Sequence, residues 1–203
     1  MTDSSIAAAI LAGGRARRFG GRDKSRLVVG GRPIIVRQVE VLQRIAGRTF
    51  IVGNDAARYA DMDLDVHPDR VADAGALGGI YTALVSAAPA ERVIVVACDM
   101  PFLDAALIRR LATLAADTDM DGAWVRTARG PEPLLACYRA SAAETIRREL
   151  DAGRMRARDL DQVLRLAVVS EEELARYGAT DKLLLNVNSP EEYEKAAYFE
   201  AAT

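Results

Sequence analysis

Apolar residues in this chain gather in short runs separated by amphipathic stretches. Six runs, Ile6–Leu11, Thr49–Val52, Val93–Ala97, Ala123–Val125, Leu134–Tyr138 and Leu166–Val169, are mostly rich in β-branched residues and bounded by Gly, Asp or Pro. That is the pattern of buried strands. Between them the spacing predicts helices over Pro33–Ile45, Leu77–Ala87, Asp104–Ala116, Ala140–Leu150 and Pro190–Ala201. Pro33 and Pro190 suit a first helical turn, and Asp104 suits a cap. The charged, alternating stretch Ala152–Leu164 reads either as a helix or as a mobile segment. Strands alternating with helices predict the α/β class, a three-layer α/β/α arrangement around a mostly parallel sheet. At 203 residues the chain is long enough for a real core, and 1–203 reads as one domain without repeats or linkers.

Composition adds mainly exclusions. Half the residues are apolar, 28% are charged and the net charge is −2, so a nucleic-acid polymer is not an expected partner. Cys98 and Cys137 form no C-x-x-C pair and read as buried reduced thiols, not as a disulfide or zinc site. No run approaches 18 apolar residues, and Asp3-Ser-Ser-Ile-Ala-Ala-Ala lacks a cationic leader, so no membrane association is expected and the cytoplasm is the default.

The chemistry is concentrated after the first strand. Leu11-Ala-Gly13-Gly14 ends the apolar run, and four arginines, a second glycine pair and Lys24 follow within Arg15–Lys24. Glycines let bare amides approach an anion, and the cations add charge-assisted bonds to phosphate. A mobile basic loop is the plainer alternative. The spacing fits neither a P-loop, since Lys24 follows Asp23, nor a Gly-x-Gly-x-x-Gly turn. A second signal is Val93-Ile-Val-Val-Ala-Cys-Asp99-Met-Pro-Phe, a strand ending on an acid. At the carboxyl end of a strand Asp99 can either hold Mg²⁺ together with phosphate oxygens and waters, or cap a turn.

The order Leu11-Ala-Gly-Gly, Arg15-x-x-Arg18, Gly20-Gly21, Asp23-Lys24 resembles the nucleotide loop of sugar-nucleotide-type nucleotidyltransferases, and within them the molybdenum cofactor guanylyltransferases. Phe19 stands where that family usually has Met. Asp99-Met-Pro-Phe resembles its metal motif, Glu132-Pro-Leu-Leu-Ala-Cys-Tyr138 one of its strands, and Asn186-Val-Asn188-Ser-Pro-Glu its pterin-side segment. Gly75-Ala-Leu-Gly-Gly departs at Ala76 and Gly78 from the family's Gly-Pro-Leu-Ala-Gly. The resemblance runs from Ile10 to about Glu192 and is densest at 10–36, 93–103, 131–138 and 184–192.

The resemblance implies a GT-A-like, Rossmann-like nucleotidyltransferase fold and transfer of GMP from GTP to molybdopterin or Mo-molybdopterin. It also implies Mg²⁺ on Asp99 and transient contact with cofactor-insertion proteins or molybdoenzymes. Under it, Leu11, Ala12, Gly13, Gly14, Lys24, Asn54, Asp69 and Asp99 bind the nucleotide. Lys24, Arg18 and Asp99 serve catalysis, and Asn186 and Asn188 orient the acceptor. Gly78 and Gly79 let backbone approach a flat ligand, and Glu132 is a rim contact. Plainer roles stay open for Asn54 and Asp69 as turn residues, and for Asn188 or Ser189 as the cap before Pro190. His67, the only histidine, reads as a loop residue. Two rivals remain. One is a cytidylyltransferase or another small-acceptor nucleotidyltransferase, although cytidine relatives tend to carry Ala-Ala-Gly where this chain has Ala12-Gly13-Gly14. The other is a non-catalytic nucleotide-binding or cofactor-handling protein.

Overall fold

The computed structural model describes residues 2–13 and 24–201. Its elements in chain order are β1 (Asp3–Leu11), β2 (Val28–Val29), β3 (Arg32–Pro33), α1 (Ile34–Leu42), β4 (Ala46–Val52), β5 (Val66–His67), α2 (Gly75–Ser86), β6 (Arg92–Ala97) and α3 (Ala105–Leu114). There follow β7 (Gly122–Thr127), β8 (Gly130–Arg139), α4 (Ala143–Asp151), β9 (Leu166–Ser170), α5 (Glu171–Leu174), α6 (Thr180–Leu183) and α7 (Pro190–Ala201). Short 3₁₀ turns add Lys24–Arg26, Ala56–Tyr59, Ala140–Ala142 and Ala157–Gln162.

Seven strands form one sheet in the order β5-β4-β1-β6-β8-β7-β9. Pairings β4–β5, β1–β4, β1–β6 and β7–β9 are parallel, and only β8 runs against its neighbours. The side-chain period of two explains the apolar runs. Ile6, Ala8 and Ile10 face one layer with Ile35, Leu107, Ile108 and Leu111 from α1 and α3. Ala7, Ala9 and Leu11 face the other with Leu77, Ile80, Ile146 and Leu150 from α2 and α4. Both faces are covered, as the three-layer expectation requires. A smaller cluster of Val29, Ile34, Phe102, Leu185, Val187 and Ala196 seats α7 over the β2–β3 hairpin.

Every predicted strand and helix is present, with shifted ends. Pro33 is the residue before α1 and not in its first turn, whereas Pro190 does open α7. Asp104 caps α3, accepting the Leu107 N–H at 2.8 Å. The stretch Ala152–Leu164 is not a regular α-helix. It forms the 3₁₀ turn Ala157–Gln162, which buries Ala157 and Leu160 against the α2/α4 layer.

In β8 the register against β7 jumps between Trp124 and Val125, which pair with Ala136 and Glu132. Pro133 to Leu135 are therefore extra on β8. Such a bulge tolerates proline, which has no N–H to give the ladder. The buried Tyr138 hydroxyl donates to the Pro133 carbonyl at 2.9 Å and ties the bulge down.

Candidate active site

The chain leaves β1 for β4 and β5 on one side, then crosses through α2 to β6 on the other. Such a switch point opens a crevice beyond the carboxyl ends of the strands. Leu11, Ala12 and Gly13 after β1, Asn54 after β4, Asp69 after β5 and Asp99 after β6 line one cavity there of about 670 Å³. The first turn of α2, Gly75 and Ala76, closes another wall.

Asn54 and Asp69 hold each other. The Asn54 Nδ2 donates to Asp69 Oδ2 at 2.9 Å, and the Asp69 N–H donates to Asn54 Oδ1 at 2.8 Å. Asn54 therefore joins two strand ends, while its neighbour Asp55 caps the local 3₁₀ turn. Asp99 sits in a tight turn in which the Met100 N–H donates to the Ala97 carbonyl at 3.4 Å. Its own carbonyl accepts the Val187 N–H at 2.9 Å. The Asp99 Oδ1 is buried without a hydrogen-bond partner among the described residues. Burial raises the carboxyl's pKa, the Lys24 charge and a backbone N–H pull it down, and Glu192 adds to the rise.

Lys24 reaches across 164 residues of sequence to donate to Asn188 Oδ1 at 2.6 Å. The capping of α7 belongs to Ser189, whose Oγ accepts the Glu192 N–H at 3.3 Å, while Glu192 accepts the Asn188 N–H at 2.6 Å. This arrangement is close to a capping box, and it leaves the Asn188 side chain for Lys24. The expected acceptor-side and triphosphate-side residues are thus in direct contact. Asn186 lies in a second lobe of about 490 Å³ with Glu132, Pro133, Arg156 and Arg158, sharing the wall residues Ala76, Ala97 and Leu134 with the first. Burial pushes the Glu132 carboxyl up, and Arg158 and Arg129 oppose it.

Several expectations change. Gly79 lines the first lobe, but a side chain on Gly78 would meet Ala74 Cβ at 2.6 Å, so that glycine serves packing within α2. Cys98 is half-buried on the lobe wall, whereas Cys137 is buried, its thiol pushed up to about 12 by desolvation. His67 is in β5, edge-on to Phe50 and 3.2 Å from Arg48, and lines neither lobe. Arg156 and Arg158 were not singled out from sequence. Their signal is the alternation of Arg154, Arg156 and Arg158 within the charged stretch Ala152–Leu164, which reads from sequence as a helix or a mobile segment. Gly14 and Arg18 lie outside the described residues.

Residues 8–169 match the family model described as the MobA-like NTP transferase domain. The chain belongs to the MobA-like NTP transferase family. Among relatives of this family, a protein of Carboxydothermus hydrogenoformans named "Probable molybdenum cofactor guanylyltransferase" is 35% identical over 94% of each chain. The "Molybdenum cofactor guanylyltransferase" of Desulfosudis oleivorans is 33% identical over 95% of this chain and 94% of its own. The fold matches the crystal structure of molybdopterin-guanine dinucleotide biosynthesis protein A from Archaeoglobus fulgidus with a TM-score of 0.82, covering 97% of this chain and all of that one at 23% identity. A family member of this architecture is a nucleotidyltransferase with a three-layer α/β fold. Among the described residues no helix is long and apolar enough to cross a membrane.

Proposed function

We propose that this family member transfers GMP from GTP to the terminal phosphate of molybdopterin or Mo-molybdopterin, forming the guanine dinucleotide cofactor and pyrophosphate. The observation that carries the proposal is the pair of adjoining lobes sharing the wall beside Asp99, room for a nucleotide and for a second anionic ligand. Relatives named molybdenum cofactor guanylyltransferase and matched over nearly their whole length support this choice of substrates.

An acceptor phosphate oxygen attacks the α-phosphorus of GTP, the bond from that phosphorus to the bridging oxygen breaks, and pyrophosphate leaves. The acceptor is already anionic, so the reaction needs alignment and charge neutralisation more than a general base. Amides of Leu11 to Gly14 cradle the nucleotide, and the Asn54–Asp69 pair presents donors and acceptors to base and ribose. Lys24 and Arg18 meet the charge developing toward pyrophosphate. Asn188 steers Lys24 through their hydrogen bond. Asn186, Arg156 and Arg158 hold the acceptor in the second lobe.

Asp99 suits a divalent cation, because its Oδ1, buried and without a hydrogen-bond partner among the described residues, is stabilised by positive charge. Among the described residues no group of three His, Cys, Asp or Glu side chains could ligate a metal, so Asp99 would hold Mg²⁺ jointly with substrate oxygens and water. The cation would supply charge neutralisation on those phosphate oxygens. The test is pyrophosphate release from GTP against CTP, with and without molybdopterin and Mg²⁺. Release that requires GTP, acceptor and Mg²⁺ together is expected. A preference for CTP, or release independent of the acceptor, would contradict the proposal.

A further inference from the structure

Helix α1 buries Ile34, Ile35 and Leu42 along one stripe, and Gln38 stands in that stripe at 1% exposure. A carboxamide there is unfavourable unless its polar atoms are satisfied. The Gln38 Nε2 lies 2.7 Å from the Ala97 carbonyl and 2.9 Å from the Met100 carbonyl. Two carbonyls around one nitrogen fix the orientation of the amide, because only its NH₂ end can donate to both. These are the carbonyls on either side of Asp99. The adjacent Arg37 donates from Nε to the Pro101 carbonyl at 3.2 Å, and its guanidinium is held by Glu200 of α7 at 2.8 and 2.9 Å. Two successive residues of α1 thus grip three carbonyls of the 97–101 turn, while the Val187 N–H donates to the Asp99 carbonyl.

The arrangement is costly. Gln38 Oε1 is buried and has no partner among the described residues. Leu or Met at this position would fill the stripe without that orphan but would take the Gln38 donor from the Ala97 and Met100 carbonyls, so what a glutamine adds here is its hold on the turn and not apolar packing. We infer that Gln38 is a positioning residue that fixes the Asp99 turn, so that the carboxylate faces the cation and phosphates of the nucleotide lobe. The inference rests on Asp99 being the metal carboxylate of the proposed reaction.

The test compares wild type, Gln38→Met and Asp99→Asn. Mn²⁺ binding is read by electron paramagnetic resonance in the presence of a non-hydrolysable GTP analogue, together with melting temperature, kcat and KM for GTP. Gln38→Met, which deprives the buried Ala97 and Met100 carbonyls of their donor, should melt roughly 2–10 °C below wild type, bind Mn²⁺ roughly fivefold more weakly and lose about tenfold in kcat, with KM for GTP within about twofold. A lower melting temperature with unchanged Mn²⁺ binding and kcat would overturn the inference, making Gln38 a core residue only. Failure of both Gln38→Met and Gln38→Leu to fold would overturn it in the same way. If Asp99→Asn binds Mn²⁺ like wild type, the metal reading of Asp99 falls and takes the Gln38 inference with it. If Asp99→Asn loses Mn²⁺ while Gln38→Met keeps it, only the clamp is wrong.

Discussion

Asn188→Asp places a carboxylate where Lys24 Nζ now donates to an amide oxygen at 2.6 Å. At that separation and an effective dielectric of about 20, two unit charges attract by about 6 kcal/mol. Desolvation of both groups offsets most of this, and hydrogen bonds to charged groups contribute about 1.5–3 kcal/mol net. Lys24 would be drawn to residue 188 and away from the triphosphate, and the new anion would repel the phosphates as well. GTP affinity should therefore fall roughly ten- to a hundredfold. Asn188→Ala, which frees Lys24 without adding charge, should change it by less than about fivefold, the scale of one neutral hydrogen bond. Calorimetry with a non-hydrolysable GTP analogue, at two salt concentrations, measures both. The attraction is partly screened by salt, so the gap between the variants should narrow as salt rises. Equal GTP affinity in Asn188→Asp and wild type would refute the link between Lys24 and the Asn186–Asn188 segment.

Asp99→Asn should lower turnover at least about tenfold, about 1.4 kcal/mol of transition-state stabilisation, with no loss of melting temperature, since among the described residues Oδ1 makes no hydrogen bond to lose; near-normal turnover at saturating Mg²⁺ would contradict it. Among the described residues a side chain at Gly13 meets only Asp69 Oδ2, at 3.6 Å, so Gly13→Ala should not disturb the fold, while a backbone close to the purine predicts that KM for GTP rises more than KM for CTP; an equal rise would assign Gly13 to the turn alone. Burial first, and then the Arg48 charge, hold the His67 pKa below its ordinary 6.5. The unfolded chain therefore takes up the proton first, and stability present above about pH 6.5 is lost as pH falls toward the folded pKa. Urea midpoints measured at steps from pH 7.5 to about 5 should decline less in His67→Gln than in wild type, and parallel curves would remove His67 from the account.

The strands were legible because a sheet covered on both faces leaves unbroken apolar runs, and Ile6–Leu11 supplies side chains to both layers. The β2–β3 hairpin is too short for periodicity to register. Its signal is Gly30-Gly31, both at positive φ, as a tight hairpin turn demands. The bulge in β8 left one trace, Pro133 directly before the apolar run Leu134–Tyr138, a residue that fits a bulge better than a regular strand. The nucleotide lobe was readable because its residues follow strand ends, where α/β sheets bind ligands. Arg156 and Arg158 were not, since they reach the second lobe from the cap and the first turn of the 3₁₀ stretch Ala157–Gln162, which packs against β8. Nor was the contact of Lys24 with Asn188, which closes 164 residues of chain. Gln38 had a usable signal, a polar residue on the buried stripe of α1, but only the carbonyls of Ala97 and Met100 give it meaning.

Identification of the reaction product tests the account most directly. Purified protein would be incubated with Mg²⁺, Mo-molybdopterin and equal concentrations of GTP and CTP, and the pterin product analysed by mass spectrometry. Guanylyl transfer predicts that the acceptor gains one GMP unit, with pyrophosphate formed in equal amount and the cytosine product at least about tenfold scarcer, roughly 1.4 kcal/mol of discrimination. An acceptor that gains CMP, or that remains unmodified while GTP stays bound, would contradict it.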